Sequence, residues 1–335
     1  MAALKYSIDF NSSITNIYKT GSGLVLSEPT VAAVAQSSKG EIKATGNSAK
    51  KLIGKTSENT KIVFPVFEGE VVNVKVASKL LVDFLSKVGL VNKLSVSHVL
   101  FAVPCGADTD MLKKYETAVK LAGVSKVYFA EAPLLSAIGQ RIPLTDSSPC
   151  FVVEMSGGTT SIAALTLDGI IAGVSVNFGA NKICTDIIDY IAETYGLQIG
   201  LLTAERLRND IGSLLEGDTL STIVNGRDIK TGVPKALSVK AMDILIPTRK
   251  YYDKIAEIIL EVLIKLPPEV SAEIRNSGLY FSGLASTVYG LEQYYSNKFN
   301  IKIHVSKSAG MTVCLGGGTV IADKELLKKV AFKIN

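Results

Sequence analysis

One short pattern occurs twice in this sequence of 335 residues and limits the folds that it can adopt. An apolar segment ends in an acidic residue, which is Asp9 in the first copy and Glu154 in the second. A cluster of small polar residues and a second apolar segment follow, which is the pattern of a β-hairpin. Because the two copies lie 145 positions apart, from residue 9 to residue 154, the duplication predicts two similar α/β halves.

Helical and extended segments alternate along the rest of the chain. Apolar residues from Ile255 to Leu266 recur at i, i+3, i+4, i+7, i+8 and i+11, which predicts a helix that Pro267 ends. Further predictions are helices over 108–121 and 185–195 and buried strands over 99–103 and 279–281. This alternation favours an α/β fold with two mixed sheets. Turn residues multiply over 27–75 and 181–245, where we expect one inserted subdomain in each half.

Composition excludes several classes of protein. With 47% hydrophobic and 20% charged residues, the chain can bury sizeable cores and is not intrinsically disordered. No apolar run approaches the ~20 residues that cross a bilayer, and no signal peptide is recognisable, so we expect a cytoplasmic protein. Four scattered cysteines and two isolated histidines indicate neither a disulfide framework nor a zinc site. The net charge of +5 is spread along the chain, which argues against a nucleic-acid partner.

The residues of the two hairpins have a composition that suits phosphate binding. Along Ser156-Gly157-Gly158-Thr159-Thr160, successive backbone N–H groups can point into one concave space and hold an anion. A single hairpin of this kind is more often an ordinary β-turn, but two that face each other could clamp a polyphosphate. Asp9 and Glu154 would then lie near the phosphates and could hold Mg²⁺ through its waters. A third glycine signal, Gly283 to Ser286, follows a predicted strand and suits a backbone approach to an adenosine.

Several phrases spread along the chain resemble one family. They are Ile8-Asp9 with its hairpin, Glu131-Ala-Pro-Leu-Leu-Ser-Ala-Ile-Gly139, Gly157-Gly-Thr-Thr160, Gly226-Arg-Asp228 and Lys265-Leu-Pro-Pro-Glu269. The hairpins and the adenosine turn resemble the ATPase class that contains actin, the heat-shock chaperone ATPases and the sugar kinases. The Gly-Arg-Asp and Pro-Pro-Glu phrases are not general to that class, and together with the others they resemble the MreB family of bacterial actins.

This resemblance implies a duplicated actin-like, or ribonuclease H-like, fold with four subdomains around a nucleotide cleft. The implied boundaries are 1–30, 76–138 and 322–335 for subdomain IA, 31–75 for IB, 139–180 and 246–321 for IIA, and 181–245 for IIB. The resemblance further implies that ATP and Mg²⁺ are bound and that double protofilaments form at the inner membrane surface, with a role in cell shape or motility. The implied partners are other copies of the chain, MreB paralogues and an anionic membrane.

The site residues of the family can be carried over by position. The first phosphate loop would comprise Asp9, Asn11, Ser12 and Ser13, and the second would comprise Ser156, Gly157, Gly158, Thr159 and Thr160. Arg208 and Asp210 would contact adenine and ribose, and Gly283, Leu284, Ala285 and Ser286 would form the adenosine turn. Asp9 and Glu154 would hold Mg²⁺ through waters.

The chain departs from the family pattern at the place where hydrolysis occurs. The family usually has two adjacent glutamates before the proline matched by Pro133, and the second glutamate, which positions the attacking water, is replaced here by Ala132. Loss of such a group typically costs about 10²–10⁴ in rate. Glu131 and Thr159 are retained and remain the catalytic candidates. The family's aspartate at the second loop is Glu154, which is one methylene longer.

Further departures surround the same site. Asn11 replaces the usual glycine of the first loop, and Asn181 and Cys184 replace two acids. Either hydrolysis is slowed while nucleotide is still bound, or nucleotide no longer matters to this chain. We favour slowed hydrolysis, because both hairpins keep small residues and neither gains a bulky group that would fill the cleft.

An aliphatic loop predicts a membrane contact. Leu90, Val91 and Leu94 match the family's membrane-inserting loop, and a soluble monomer gains little by exposing such side chains. Lys87 and Lys93 would attract anionic lipid. We therefore expect a peripheral protein at the inner face of the membrane, and the alternative is a loop folded back onto its own core.

A second function remains open at this stage. A sugar or acetate kinase can be built on the same duplicated fold. Such an enzyme needs a catalytic base aimed at a bound hydroxyl. The sequence offers no extra acid or histidine in a suitable position, which favours the cytoskeletal interpretation.

Overall fold

The computed structural model describes residues 3–36, 40–90 and 97–334. The first half runs β1 (Leu4–Phe10), β2 (Ile14–Lys19), β3 (Gly23–Pro29), β4 (Ala32–Ala35), β5 (Ile42–Thr45), α1 (Gly46–Lys50), β6 (Thr60–Val63), β7 (Val66–Phe67), β8 (Glu70–Val71), α2 (Val74–Lys87), β9 (Ser97–Val103), α3 (Thr109–Lys120), β10 (Lys126–Glu131) and α4 (Ala132–Gly139). Five of these strands form a mixed sheet in the order β10-β9-β1-β2-β3.

The second half runs β11 (Cys150–Met155), β12 (Thr160–Thr166), β13 (Gly169–Val176), α5 (Ala180–Tyr195), β14 (Leu197–Gln198), α6 (Leu201–Ile211), β15 (Ser221–Asp228), β16 (Pro234–Lys240), α7 (Ala241–Ile264), α8 (Pro268–Ser277), β17 (Leu279–Ser282), a 3₁₀ turn (Leu284–Thr287), α9 (Leu291–Phe299), β18 (Ile303–Val305), α10 (Thr312–Ala322) and α11 (Lys324–Val330). Its five-stranded sheet has the order β13-β12-β11-β17-β18.

The two sheets repeat one arrangement, as the duplicated pattern predicted. β1 and β11 are the central strands, and each pairs antiparallel with the strand after its hairpin and parallel with a later strand. Asp9 lies opposite Asn16, and Glu154 lies opposite Ser161, one pair from the end of each ladder. Both carboxylates therefore occupy equivalent ends of their sheets, and the predicted α/β fold with two mixed sheets is confirmed.

The predicted helices are present, and two of them begin earlier than predicted. The helix predicted over 108–121 is α3, Thr109–Lys120, where the Asp108 side chain caps the first turn by accepting the N–H of Met111 at 2.8 Å. Residues 185–195 lie within α5, which starts at Ala180. The apolar face over 255–266 is the second part of α7. That helix begins at Ala241 because the Asp243 carboxylate accepts the N–H of Lys240 at 2.8 Å.

Helices α4 and α10 pack between the two sheets and join the halves through one hydrophobic core. Glycines allow this close approach. A Cβ at Gly139 would lie 2.0 Å from the carbonyl oxygen of Thr312, and a Cβ at Gly316 would lie 1.8 Å from that of Leu135. No larger residue fits at either glycine without separating the helices. The two hairpins are thereby held on facing sides of one cleft.

Each stretch predicted as an insertion contains a small sheet of its own. Strands β5-β4-β6 form one such sheet, and β14-β15-β16 form the other. The subdomain boundaries themselves stay predictions.

The aliphatic loop differs in part from the prediction. Leu90 is buried in the core of the first half, so it is not an exposed membrane contact. This agrees, for Leu90, with the alternative interpretation, a loop folded back onto its own core. Val91 and Leu94 lie outside the described residues. Among the described helices, none is both long and apolar enough to cross a bilayer.

Candidate functional site

The two strand-end carboxylates lie on the wall of one small cavity. Asp9 and Glu154 line it together with Ala132, Thr159 and Tyr115. Its volume is about 20 Å³, which is room for about one water molecule. Within the described part of the chain, the Glu154 carboxylate accepts no hydrogen bond from another side chain and forms no ion pair, although it is buried. A buried carboxylate in that position favours a bound cation or water.

Burial shifts the protonation of both acids. Burial raises the pKa of Asp9 to about 6, and hydrogen bonds from Asn11 and Asn16 partly offset this rise. The pKa of Glu154 is raised well above its usual value, first by burial and then by the charge of Asp9. At neutral pH and without a cation, Asp9 is therefore mostly ionised, and both causes favour the protonated form of Glu154.

The first hairpin is organised by the side chain of Asn11. Its Oδ1 accepts the backbone N–H groups of Ser13 and Ile14, each at 3.0 Å. Its Nδ2 donates to the two carboxylate oxygens of Asp9 at 3.1 and 3.2 Å. Asn11 thus forms an Asx turn that holds Asp9 in place. It also occupies two backbone donors of the hairpin, which are then not available to a phosphate.

The second hairpin keeps its backbone donors free. Within the described residues, the N–H groups of Gly157, Gly158 and Thr159 donate no hydrogen bond to the protein. The turn is closed instead by the N–H of Ser156, which donates to the carbonyl of Thr159 at 2.9 Å. Consecutive free N–H groups at such a turn form an anion-binding concavity. This is the property that the Gly-Gly-Thr phrase predicted.

The two hairpins touch each other. A Cβ at Gly157 would lie 2.3 Å from Oγ of Ser13, and a Cβ at Gly158 would lie 2.3 Å from Oγ of Ser12. In the part of the chain that the structure describes, no open space for phosphates therefore lies directly in front of these two glycines. The glycines are required because the opposite hairpin approaches closely, and a ligand held by both hairpins would enter beside this contact or move them apart.

Asn181, at the start of α5, ties the two hairpins together. Its Oδ1 accepts the hydroxyl of Ser13 at 2.5 Å, and its Nδ2 donates to the carbonyl of Ser12 at 3.4 Å. Its backbone N–H donates to the carbonyl of Gly157 at 2.9 Å. The sequence marked Asn181 only as a departure. The amide can make both side-chain contacts because it carries a donor and an acceptor, whereas an ionised aspartate only accepts.

A third hairpin, β7–β8, covers the cavity, and sequence reasoning missed it. Glu68 and Gly69 form its two-residue turn with φ values of 46° and 80°, the backbone conformation of a tight hairpin. The N–H of Gly69 donates to Oγ of Ser12 at 3.4 Å, and the hydroxyl of Tyr115 donates to the carbonyl of Gly69 at 2.8 Å. A Glu-Gly pair between short apolar segments was the signal that could have found this cover.

The predicted adenosine turn contacts the second carboxylate. Gly283 has φ of 88°, and a Cβ there would lie 2.3 Å from the carbonyl oxygen of Met155 and 2.8 Å from Oε1 of Glu154. The Ser286 hydroxyl donates to the carbonyl of Gly283 at 2.8 Å, and the carbonyl of Ala285 accepts the hydroxyl of Tyr252 at 2.9 Å. These bonds fix the turn, including the partly buried Leu284, beside the cavity.

The residues predicted to contact adenine and ribose lie on α6. Nη1 of Arg208 donates to the carbonyl of Ala180 at 3.1 Å and to Sγ of Cys184 at 3.6 Å. Arg208 therefore contacts the start of α5, next to Asn181. Asp210 is exposed on the last turn of α6. The structure brings Arg208 to the edge of the site and leaves the Asp210 side chain facing solvent.

An ion pair connects the two insertions across the cleft. Nζ of Lys50 on α1 lies 2.6 Å from Oε2 of Glu205 on α6. Both residues line a cavity of about 250 Å³, which also borders Ser13 and Asn181. The Lys50–Glu205 pair and the bonds of Asn181 thus both connect the two sides of the cleft.

Comparison with known proteins identifies the family. The sequence model of the MreB/Mbl protein family matches residues 3–329. The chain belongs to the MreB/Mbl family. It is 31% identical over 320 residues to the cell shape-determining protein MreB of Escherichia coli (strain K12), covering 94% of this chain and 92% of that protein. It is 27% identical over 330 residues to the cell shape-determining protein Mbl of Bacillus subtilis (strain 168), covering 98% and 99%.

Solved structures agree with this assignment. MreB5 of Spiroplasma citri bound to ADP has a TM-score of 0.90 at 25% identity and covers 98% of each chain. The same protein bound to AMPPNP has a TM-score of 0.91. The MamK double helical filament has a TM-score of 0.80 at 18% identity and covers 96% of this chain and 99% of that chain, which supports the actin-like fold alone.

The position that the resemblance matches to the family's second glutamate carries only a methyl group in this chain. Ala132, the first residue of α4, lines the cavity beside Thr159. Glu131 is held elsewhere, because its Oε1 accepts the N–H of Gly106 at 2.8 Å and its side chain does not line the cavity. The geometry therefore does not support Glu131 as a catalytic candidate. Thr159 remains in contact with the cavity.

Proposed function

We propose that this MreB-like protein binds ATP with Mg²⁺ in the cleft, polymerises into protofilaments at the inner membrane surface and hydrolyses ATP slowly. The observation that carries the proposal is the cavity between Asp9 and Glu154, which Ser156 and Thr159 also line, next to a hairpin turn whose Gly157, Gly158 and Thr159 N–H groups are free. Its donors suit phosphate oxygens, and its carboxylates suit a divalent cation. The nucleotide-bound structures of Spiroplasma citri MreB5 support the same assignment.

The residues present fit Mg²⁺ when the nucleotide supplies further ligands. Within residues 3–36, 40–90 and 97–334, no group of three or more His, Cys, Asp or Glu side chains could hold a metal. The protein thus offers Asp9 and Glu154, and water and phosphate oxygens would complete the shell, as is usual for Mg²⁺. Bound there, Mg²⁺ would neutralise charge on the phosphates. The chain itself contributes the backbone donors and the Asn11 bonds that orient Asp9.

Slow hydrolysis is inferred from the wall of the cavity. Ala132 can neither orient a water molecule nor accept its proton, and Glu131 is bonded to Gly106. The hydroxyl of Thr159 could hold a water but cannot act as its base. The chain therefore lacks a general base in the place where the family usually has one.

Restoring the carboxylate tests this inference. In Ala132→Glu we expect phosphate release to rise by roughly tenfold or more, with ATP binding retained in a fluorescence titration. Ala132→Gln is the matched control. The glutamine side chain has the same size as glutamate and can orient water, but it cannot take a proton from it. Adding Glu154→Asp should raise the rate further and non-additively, since both changes act on one site. A parent rate equal to that of ordinary MreB, or a double variant as slow as the parent that still binds ATP, would refute the inference.

Polymerisation is supported by the family and by its cell-shape relatives. We expect the protein to pellet with ATP or a non-hydrolysable analogue and to form filaments in negative-stain electron microscopy. Sedimentation as a monomer at several micromolar, in both nucleotide states and over a range of salt, would contradict this proposal. Paralogues of the same family are the other proposed partners, with roles in cell shape or motility.

The proposed membrane contact is now limited to Val91 and Leu94 with the neighbouring lysines, because Leu90 is buried. Val91→Ser with Leu94→Ser should reduce co-sedimentation with anionic liposomes, since each buried aliphatic side chain contributes about 1.5–3 kcal/mol. Leu90→Ser is the contrasting variant, because it should lower thermal stability instead. Unchanged pelleting of the Val91/Leu94 variant would remove this loop as the anchor.

A further inference from the structure

Helix α7 exposes a narrow stripe that the proposed function does not use. The stripe consists of Met242, Ile246, Arg249, Asp253, Glu257, Leu260 and Ile264. At 3.6 residues per turn these positions fall within about 80° of the helix surface. The four apolar members are exposed by 41%, 51%, 47% and 82% in chain order. Aliphatic side chains at both ends of one solvent-facing stripe are unusual for a helix whose other face is core.

The α7 stripe is symmetric about Asp253. Met242 and Ile264 lie eleven residues on either side of it, Ile246 and Leu260 lie seven residues away, and Arg249 and Glu257 lie four residues away. Apolar residues therefore match apolar residues, and the one cation matches an anion. A surface with this pattern is complementary to itself when it is turned through a twofold axis.

We propose that the α7 stripe pairs with the α7 stripe of a second copy of this chain, antiparallel, with the twofold axis at Asp253. In this register Met242 of one copy packs on Ile264 of the other, and Ile246 packs on Leu260. Arg249 faces Glu257 at both equivalent positions. The occupant is a second copy because one sequence supplies both halves of the apolar and the charge complementarity.

The charges already around the stripe are compatible with this register. Arg249 contacts Glu216 at 2.5 Å and Asp253 at 3.8 Å, and Glu257 contacts Lys254 at 2.8 Å. These are exposed ion pairs, which exchange partners at little cost. Near the axis, each Asp253 accepts hydrogen bonds from Lys298 and from Tyr294, both at 2.5 Å. The two Asp253 carboxylates would therefore not face each other as unpaired charges.

The pairing of two α7 stripes is independent of the nucleotide cleft. It rests on the proposed function in one respect: polymerisation would make it a lateral contact between protofilaments. α7 packs on α5 and α6 with its buried face, whereas the stripe lies on the opposite face. Loss of ATP binding would therefore not remove the stripe. Pelleting and stripe pairing can be measured separately on the same protein.

Disulfide cross-linking tests the register. The background is Cys105→Ser in the full-length chain, because the other three cysteines are buried. Met242→Cys and Ile264→Cys proteins should cross-link efficiently when mixed, with and without ATP, and little when each is alone. The two positions of one chain are about 33 Å apart along the helix. In the antiparallel dimer, the two side chains of a Met242→Cys pair are therefore too far apart to cross-link, and so are those of an Ile264→Cys pair. Met242→Cys mixed with Glu261→Cys is the control, since Glu261 is exposed on the same helix outside the stripe.

Charge reversal tests the partner. Arg249→Glu and Glu257→Arg should each weaken pairing by roughly tenfold, whereas a mixture of the two single variants should recover it, because every facing pair is then opposite in charge. Failure of the mixture to recover, or cross-linking of Met242→Cys with Ile264→Cys no stronger than the control, would overturn the proposal. Cross-linking at the predicted register without any pelleting would support pairing through the α7 stripe. It would count only against the proposed polymerisation.

Discussion

Binding of Mg²⁺ with ATP should favour release of the proton from Glu154. Burial and the charge of Asp9 hold the pKa of Glu154 well above its usual range, so the empty site favours the protonated carboxyl. A divalent cation reverses both causes, because it stabilises the ionised carboxylates and neutralises their repulsion. Asp9, with a pKa of about 6, is roughly nine-tenths ionised at pH 7 and contributes little there.

The number of protons released should depend on pH in a specific way. At pH 6 Asp9 is about half protonated in the empty site. The share of the release that comes from Asp9 should therefore rise from about one-tenth of a proton at pH 7 to about half a proton at pH 6. Isothermal titration with preformed MgATP in buffers of different ionisation enthalpy measures this number as the slope of the observed enthalpy.

Two variants separate Glu154 from other sources of protons. Glu154→Gln has the same size as the parent side chain and no ionisable group, so its slope at pH 7 should be smaller than that of the parent. Glu193→Gln changes an exposed glutamate on α5 and should leave the slope unchanged. Equal slopes in the parent and in Glu154→Gln, or a parent slope near zero at both pH values, would refute the assignment of the proton to this carboxylate.

Three further predictions concern the empty protein and its cleft. The free energy of unfolding should fall by up to about 3 kcal/mol from pH 4 to pH 7. The reason is that folded Asp9 keeps its proton to about pH 6, whereas the unfolded side chain loses it near pH 3.8. Urea titrations measure this fall, and an equal fall in the Asp9→Asn variant would contradict the prediction. Gly158→Val should abolish ATP binding in a fluorescence titration, because its Cβ would lie 2.3 Å from Oγ of Ser12 and separate the hairpins; parent-like affinity would count against this. Lys50→Glu should speed nucleotide release in stopped-flow displacement, and adding Glu205→Lys should reverse the effect; a double variant as fast as the single one would remove the ion pair from the cleft's closure.

Sequence reasoning succeeded where the signal was local. The duplicated strand and hairpin around Asp9 and Glu154, the helix that starts after Asp108 and the free donors after Ser156 depend on residues within a few positions of one another. Alternating burial, capping residues and small turn residues act over that range. The position of Ala132 beside Thr159 also followed, although through the family resemblance and not through periodicity.

The errors concern contacts between distant segments. Leu90 was expected at the surface, and it is buried because it packs on the first core. The sequence did not reveal that the opposite hairpin fills the space in front of Gly158. Glu131 was kept as a catalytic candidate, but its carboxylate accepts a hydrogen bond from the N–H of Gly106 and is held away from the cavity. Each error arose because a side chain's neighbours cannot be read from its own segment.

The sequence by itself determined the duplicated α/β halves, the two strand-end acids and the phosphate-type hairpin, since these follow from residue type and short-range spacing; the missing second glutamate followed only from the family resemblance. Only the tertiary structure decided that Asn181 ties the hairpins across 168 positions of sequence, that β7–β8 covers the cavity and that Asp9 raises the pKa of Glu154. Those features depend on packing α4 against α10, which brings the two halves together. Burial and Coulomb interactions act over distance in space, and distance along the chain does not give that distance.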